Sequence, residues 1–269
     1  MFAHEFVRNA YLAGTFVALA CGSAGWFVIL RGQLFAGDAL SHVAFVGAIA
    51  AAAVGVDERV GLFALTIIVA GGMAGLGRRA QADDAAIGIT FAWILGIGLL
   101  LITVLATSSG GGNGITTVNT LFGSIFDLSA GAARLAAAIA LVVVIAIAAA
   151  FRPLLLSTLD PELAVVRGAP VKLLGVAFLV LLAVVSAEST QAVGALLLLG
   201  LLAAPAGAAH RLTIDPRRGV ALAGLLAILA MWGGLALSYA IPSLPPSSAI
   251  LGLAALEYAC SGVVPVSRP

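Results

Sequence analysis

Apolar runs of bilayer-crossing length recur from one end of this chain to the other, near residues 11–30, 39–56, 60–77, 85–106, 135–151, 172–187, 193–209, 219–240 and 248–262. A spanning helix needs about 20 mostly apolar residues. The runs are continuous, whereas a membrane barrel alternates apolar and polar residues in short segments. Within lipid a helix satisfies its own backbone polar groups. The last run is short and the second contains ionisable groups. The expected fold is therefore an all-α membrane protein, a polytopic bundle of eight or nine transmembrane helices, with residues 1–269 forming a single transmembrane domain. Composition excludes the soluble alternative: 62% of the residues are hydrophobic and 9% charged, with a mean hydropathy of +1.18. A soluble domain carries roughly 25% charged residues.

The few charges are unevenly placed. With nine alternating helices and the N-terminus outside, the inside connections hold Arg31, Arg78, Arg79, Arg152, Arg167, Lys172, Arg211, Arg217, Arg218 and Arg268. Only Arg8, Arg59 and Arg134 remain outside. That asymmetry is the one that sets orientation in membranes, and it favours N-out, C-in. The net charge of +1 offers nucleic acid no basic field. Cys21 and Cys260 have no metal-type spacing and read as packing residues.

Asp38 and His42 are the most informative pair. Residues four apart share one face of a helix, so a carboxylate and an imidazole at this spacing can reach one cation. One chain would supply two donors, and a two-fold dimer whose axis passes this helix would supply four. Such a set suits zinc or manganese better than magnesium or calcium. The spacing leaves a second reading open, in which Asp38 caps the second helix and His42 hydrogen-bonds within the bundle. Alternation also starts this helix near the inner face, so either the segment around 31–38 enters the membrane or the boundaries of the first spans lie elsewhere.

Residues 157–170 carry helix signals in an inside connection. Asp160 is a good N-cap, Pro161 a good first residue, and Glu162 complements the helix dipole; Leu163 and Ala164 follow. Arg167 suits the C-terminal end and Gly168 the left-handed stop. The expectation is a capped two-turn helix over about 160–168, either lying at the interface or offering a rigid knob to a soluble motor. Further on, Gly194, Pro205 and Gly207 read as helix-packing positions, with Pro205 kinking its span. Glu188 falls in an outside turn by this scheme, and His210 reads as no ligand.

Enzymatic signatures are missing. There is no phosphate loop, and Lys172 is the only lysine, so this chain does not hydrolyse ATP itself. His4-Glu5 lacks the second histidine of a zinc-protease helix. Gly37-Asp38 lacks the preceding glycine of membrane aspartyl proteases, since residue 35 is Phe.

Taken in order, these segments resemble the permease subunits of the ATP-binding-cassette importers for zinc, manganese and related metals. The resemblance rests on Phe35 through Gly47 with its Gly-Asp-x-Leu-x-His core, Asp83 to Gly88, Leu121-Phe122-Gly123, Asp160 to Gly168, Val193 to Leu196, and Pro205-Ala206. It spans about residues 10–260 and departs at Ser124, where the family commonly has an acidic residue. It implies a type II-like importer permease fold and a homodimer in a bacterial cell (inner) membrane. It also implies partnership with cytoplasmic ATP-binding subunits and an extracytoplasmic metal-binding protein. Asp38 and His42 would line the ion path, Asp160–Gly168 would be the coupling helix, and the divalent ion would be cargo with no permanently bound cofactor. Iron-chelate or cobalamin permeases, and a stand-alone ion-coupled carrier, are the alternatives. The carrier often shows inverted halves, which are not evident in this sequence.

Overall fold

Each apolar run forms a helix, and turn residues separate most of them. A computed structural model describes residues 4–76, 84–108, 125–241 and 243–263, and among them all regular structure is helical. The helices are α1 (Glu5–Leu30), α2 (Leu34–Val54), α3 (Glu58–Leu76), α4 (Asp84–Ser108), α5 (Ala130–Ala149), α6 (Phe151–Leu159), α7 (Pro161–Val166), α8 (Val171–Val193), α9 (Ala195–Leu212), α10 (Pro216–Ala240) and α11 (Pro246–Ser261). A 3₁₀ turn, Ile125–Asp127, precedes α5. Seven of these, α1 to α5, α8 and α10, are long and apolar enough to cross a membrane. The remaining two expected runs form α9 and α11, of 18 and 16 residues, packed on α10 and on each other. The chain is thus an all-α, polytopic membrane protein.

Helix α1 is the central post, packed against α5, α8, α9 and α10. Its small residues permit this. A Cβ at Gly22 would collide with the Ala223 carbonyl of α10, and one at Gly25 with the Leu202 carbonyl of α9, so the backbones touch directly. Phe27, Leu40, Phe178, Leu182 and Leu202 fill the core around it. Helix α4 stands at the periphery against α2 and turns large apolar side chains outward, including Ile89, Trp93, Leu99 and Leu100.

Long-range contacts fix which helix ends lie together. At one end Arg31 bonds Ser157 and Thr158, the His210 ring meets the Trp26 carbonyl, and Arg211 bonds the Tyr258 hydroxyl. At the other end Asn9 donates to Leu128, Arg59 to Glu188, and Ser247 to Val193. The nine longer helices therefore alternate in direction. Arg152, Arg167, Lys172, Arg217 and Arg218 join the first, arginine-rich end, and Arg8, Arg59 and Arg134 lie towards the second. Arg78, Arg79 and Arg268 lie outside the described residues.

Two sequence expectations are corrected here. Glu188 is not in a turn: α8 continues to Val193 and buries it. The run Ser186–Gln191 reads as polar, yet Thr190 returns its hydroxyl to the Ser186 carbonyl at 2.7 Å, and the helix proceeds. Cys260 is exposed rather than packed, whereas Cys21 is buried with its Sγ 3.0 Å from Ser189 Oγ.

Candidate functional site

The α1–α2 corner is tight. Gly32 takes a positive φ of 67°, and the amide of Gln33 donates back to Val28 at 2.9 Å. Helix α2 then starts at Leu34, several residues before the apolar run alone suggests. Asp38 is consequently no cap: the flanking residue is Gln33, and it makes no side-chain capping bond. At a rise of about 1.5 Å per residue, Asp38 lies ~6 Å and His42 ~12 Å along α2 from its arginine-rich end. The expected start near residue 39 is thus corrected, and the segment is helical from Leu34 onward.

Most of this stretch is buried, from Ala36 and Gly37 through Ala39–Ser41 to Val43–Ile49. Phe35, Asp38 and His42 form the strip left open, with the Asp38 and His42 side chains 27% and 18% exposed. His42 Nε2 stands 4.0 Å from Asp38 Oδ1. Two donors each about 2.1 Å from one tetrahedral ion are ~3.4 Å apart, so a side-chain rotation closing the pair by roughly 0.6 Å lets both bind. Phe91 of α4 flanks the strip, its ring 5.3 Å from that of His42 and 6.0 Å from that of Phe35. Among the described residues no three His, Cys, Asp or Glu side chains converge.

The segment after α6 folds into a capped helix for local reasons. Asp160 Oδ1 accepts from the Leu163 amide at 2.9 Å, Pro161 opens α7, and Gly168 takes φ +76° after Arg167. Glu162 occupies the first turn, Ala164 is buried, and Leu163 is partly exposed. This corner leaves Leu159 of α6 and Val165 and Val166 of α7 bare at the arginine-rich end, Val166 to 83%. Arg31 meets this corner: Nε donates to Thr158 Oγ1 at 3.0 Å and Nη2 to Ser157 Oγ at 3.3 Å, with the guanidinium 4.5 Å over Phe178. Burial pulls its pKa down to about 10, which leaves it charged at neutral pH.

The other sequence candidates separate. Gly194, expected to serve packing, is the joint between α8 and α9, with φ +98° that a side chain would strain. Pro205 lies inside α9, and Gly207 lets the Tyr258 ring approach closely. His210 stacks on Trp26 with centroids 4.8 Å apart, away from Asp38. Asp83 and Leu121-Phe122-Gly123 lie outside the described residues.

Sequence reasoning missed the ion pair between Arg59 Nη2 and Glu188 Oε1, 2.7 Å long, at the end opposite the arginine-rich one. Its partners are 129 residues apart, and no local signal joins them. It also missed the contacts of Arg31, which read as an ordinary loop charge, and the place of Phe91 beside the strip.

Comparison with known proteins identifies the family. The ABC 3 transport family model matches residues 3–264. The chain is 30% identical over 87% of its length to the manganese transport system membrane protein MntC of Halalkalibacterium halodurans, covering 79% of that protein. It is 30% identical over 88% of its length to the manganese import system permease protein ScaB of Streptococcus parasanguinis, covering 83% of it. The solved structure of PsaBC from Streptococcus pneumoniae in complex with Fab superposes with a TM-score of 0.83 at 26% identity, over 96% of this chain and 91% of that one. With the family model matching nearly its whole length, the chain belongs to the ABC 3 transport family.

Proposed function

We propose that this chain is the membrane-spanning subunit of an ATP-driven importer of divalent metal ions, with manganese as the first candidate cargo and ferrous iron and zinc behind it. The observation that carries the reading is the Phe35–Asp38–His42 strip, in which two metal-capable side chains occupy the open face of an otherwise buried helix. Ionisable groups within a span are costly and mark a pathway by default. A second copy related by a two-fold axis along this strip completes a set of two carboxylates and two imidazoles. The bare apolar face of α4 beside the strip suits that neighbour and the surrounding lipid. The names of the relatives favour manganese.

Drive comes from separate cytoplasmic ATP-binding subunits docked on the α6–α7 corner, where exposed Leu159 of α6 and Val165 and Val166 of α7 offer an apolar seat. The arginine-rich end is then cytoplasmic, the N-terminus lies outside, and the membrane is the bacterial cell membrane. An extracytoplasmic binding protein hands over the ion. ATP binding draws the motors together, α7 passes that closure to the bundle, and the path opens to the other side. Asp38 and His42 hold the ion briefly, since a site that binds too tightly does not release.

The test is uptake of manganese, ferrous iron and zinc into cells lacking their own importers. These would express the chain with its ATPase and binding protein, as wild type, Asp38→Ala or His42→Ala. The expected result is loss of uptake in both variants with membrane assembly intact. Normal uptake in both variants would refute the ion path. Wild-type uptake of a metal chelate instead of the free ions would favour the bulky-ligand alternative.

A further inference from the structure

Helix α7 packs mainly on α6 and α8, and the ion-facing strip is on α2. A direct polar link between the two regions runs through one side chain. Arg31, at the α1–α2 corner, forks onto both hydroxyls at the end of α6, Thr158 Oγ1 and Ser157 Oγ. Those hydroxyls already donate to the Leu154 carbonyl, at 2.6 and 2.9 Å, so their oxygens are held ready to accept. Two residues beyond Thr158, Asp160 caps α7. On the other side, Arg31 is seven residues before Asp38. The corner between them is stiffened by backbone bonds from Gly32 to Ile29 and from Gln33 to Val28. Beneath the guanidinium lies an aromatic floor, with Phe27 edge-on to Phe151 at 5.8 Å and to Phe178 at 6.2 Å. A planar, always-charged fork that bonds two hydroxyls while stacking on a ring is a task for arginine and not for lysine.

We propose that Arg31 is a positioning residue for transport: the strut through which displacement of the α6–α7 corner is passed to the start of α2, and so to Asp38 and His42. The inference rests on the importer reading above, in which α7 seats the motor. Coupling of this kind needs a contiguous physical connection between two elements that move, and Arg31 supplies it by hydrogen bonds on one side and by the short corner on the other.

The experiment uses the assembled complex, permease with ATPase subunits and binding protein, in liposomes supplied with manganese(II). It measures ions moved per ATP hydrolysed. Arg31→Ala is expected to keep the ATPase bound and hydrolysing while ions per ATP fall by roughly two- to thirty-fold, the span seen for mutations along coupling networks. Ser157→Ala with Thr158→Val, which removes the acceptors and leaves Arg31 on its aromatic floor, is expected to give the same signature. It decides the matter if Arg31→Ala fails to assemble. Arg31→Lys is expected to recover part of the ratio, because an ammonium reaches one hydroxyl. An unchanged ratio in assembled Arg31→Ala, or hydrolysis and uptake falling together in proportion, would overturn the strut. A wild-type complex that moved no manganese, iron or zinc would instead overturn the importer reading on which the strut depends.

Discussion

The Arg59–Glu188 pair should respond asymmetrically to loss of either partner. Glu188 is 4% exposed, one oxygen faces Arg59 at 2.7 Å, and Oε2 has no other hydrogen-bond partner among the described residues. Arg59→Met leaves that carboxylate in the bundle with no countercharge. Removing one partner of a buried pair costs about 3–5 kcal/mol. Arg59 is different: its side chain is 18% exposed, it is the second residue of α3, and it lies near a helix end. In Glu188→Met the guanidinium can swing towards water on its flexible stem, so the cost falls to about 1.5 kcal/mol, the low end for a lost charged hydrogen bond. Replacing both by Met should bring stability back to within ~1 kcal/mol of wild type, because neither charge is then stranded. The assay is the melting temperature of the purified protein in detergent, followed by tryptophan fluorescence. At roughly 2–4 °C per kcal/mol, Arg59→Met should melt at least 6 °C lower and Glu188→Met only a few degrees lower. Equal losses in the two single variants, or a double variant as unstable as their sum, would refute the argument.

Two other outcomes follow from local geometry. Asp160→Ala removes the only side-chain cap observed on α7 and should cost about 0.5–2 kcal/mol locally, seen as less ATPase co-purifying with the permease; Asp160→Asn should retain most of it. Cys260, exposed near the arginine-rich end, should react with a membrane-impermeant maleimide in inside-out vesicles and not in right-side-out ones, while buried Cys21 reacts in neither. The opposite sidedness would invert the orientation.

The spans were legible because lipid imposes a simple rule: only a helix or a closed barrel satisfies the backbone there, and long continuous apolar runs fit the helix, so they translate directly into α1 to α5, α8 and α10. Helix starts and stops were legible only where side chains mark them. Asp160, Pro161 and Gly168 announce α7, and the structure has a cap, a first-turn proline and a positive φ at those positions. Nothing marks the start of α2, where Gln33 makes no cap, and Asp38 therefore reads as a helix start from sequence although it lies inside the helix. Glu188 was misread for the opposite reason. Ser186, Ser189 and Thr190 look like turn residues, but inside a bundle Thr190 bonds back to its own helix and the apolar surroundings keep the segment helical. Its partner Arg59, like the contact of Arg31 with α6, joins residues more than 100 positions apart, and one sequence carries no sign of such pairings.

Whether Asp38 and His42 form a metal site shared between two chains is tested by manganese(II) binding to the purified wild-type complex, measured by electron paramagnetic resonance together with bound-metal stoichiometry. The expected result is one ion per two permease chains, nitrogen couplings from imidazole in its spectrum, and loss of both in Asp38→Ala and in His42→Ala. One ion per single chain, or binding that survives both substitutions, would contradict it.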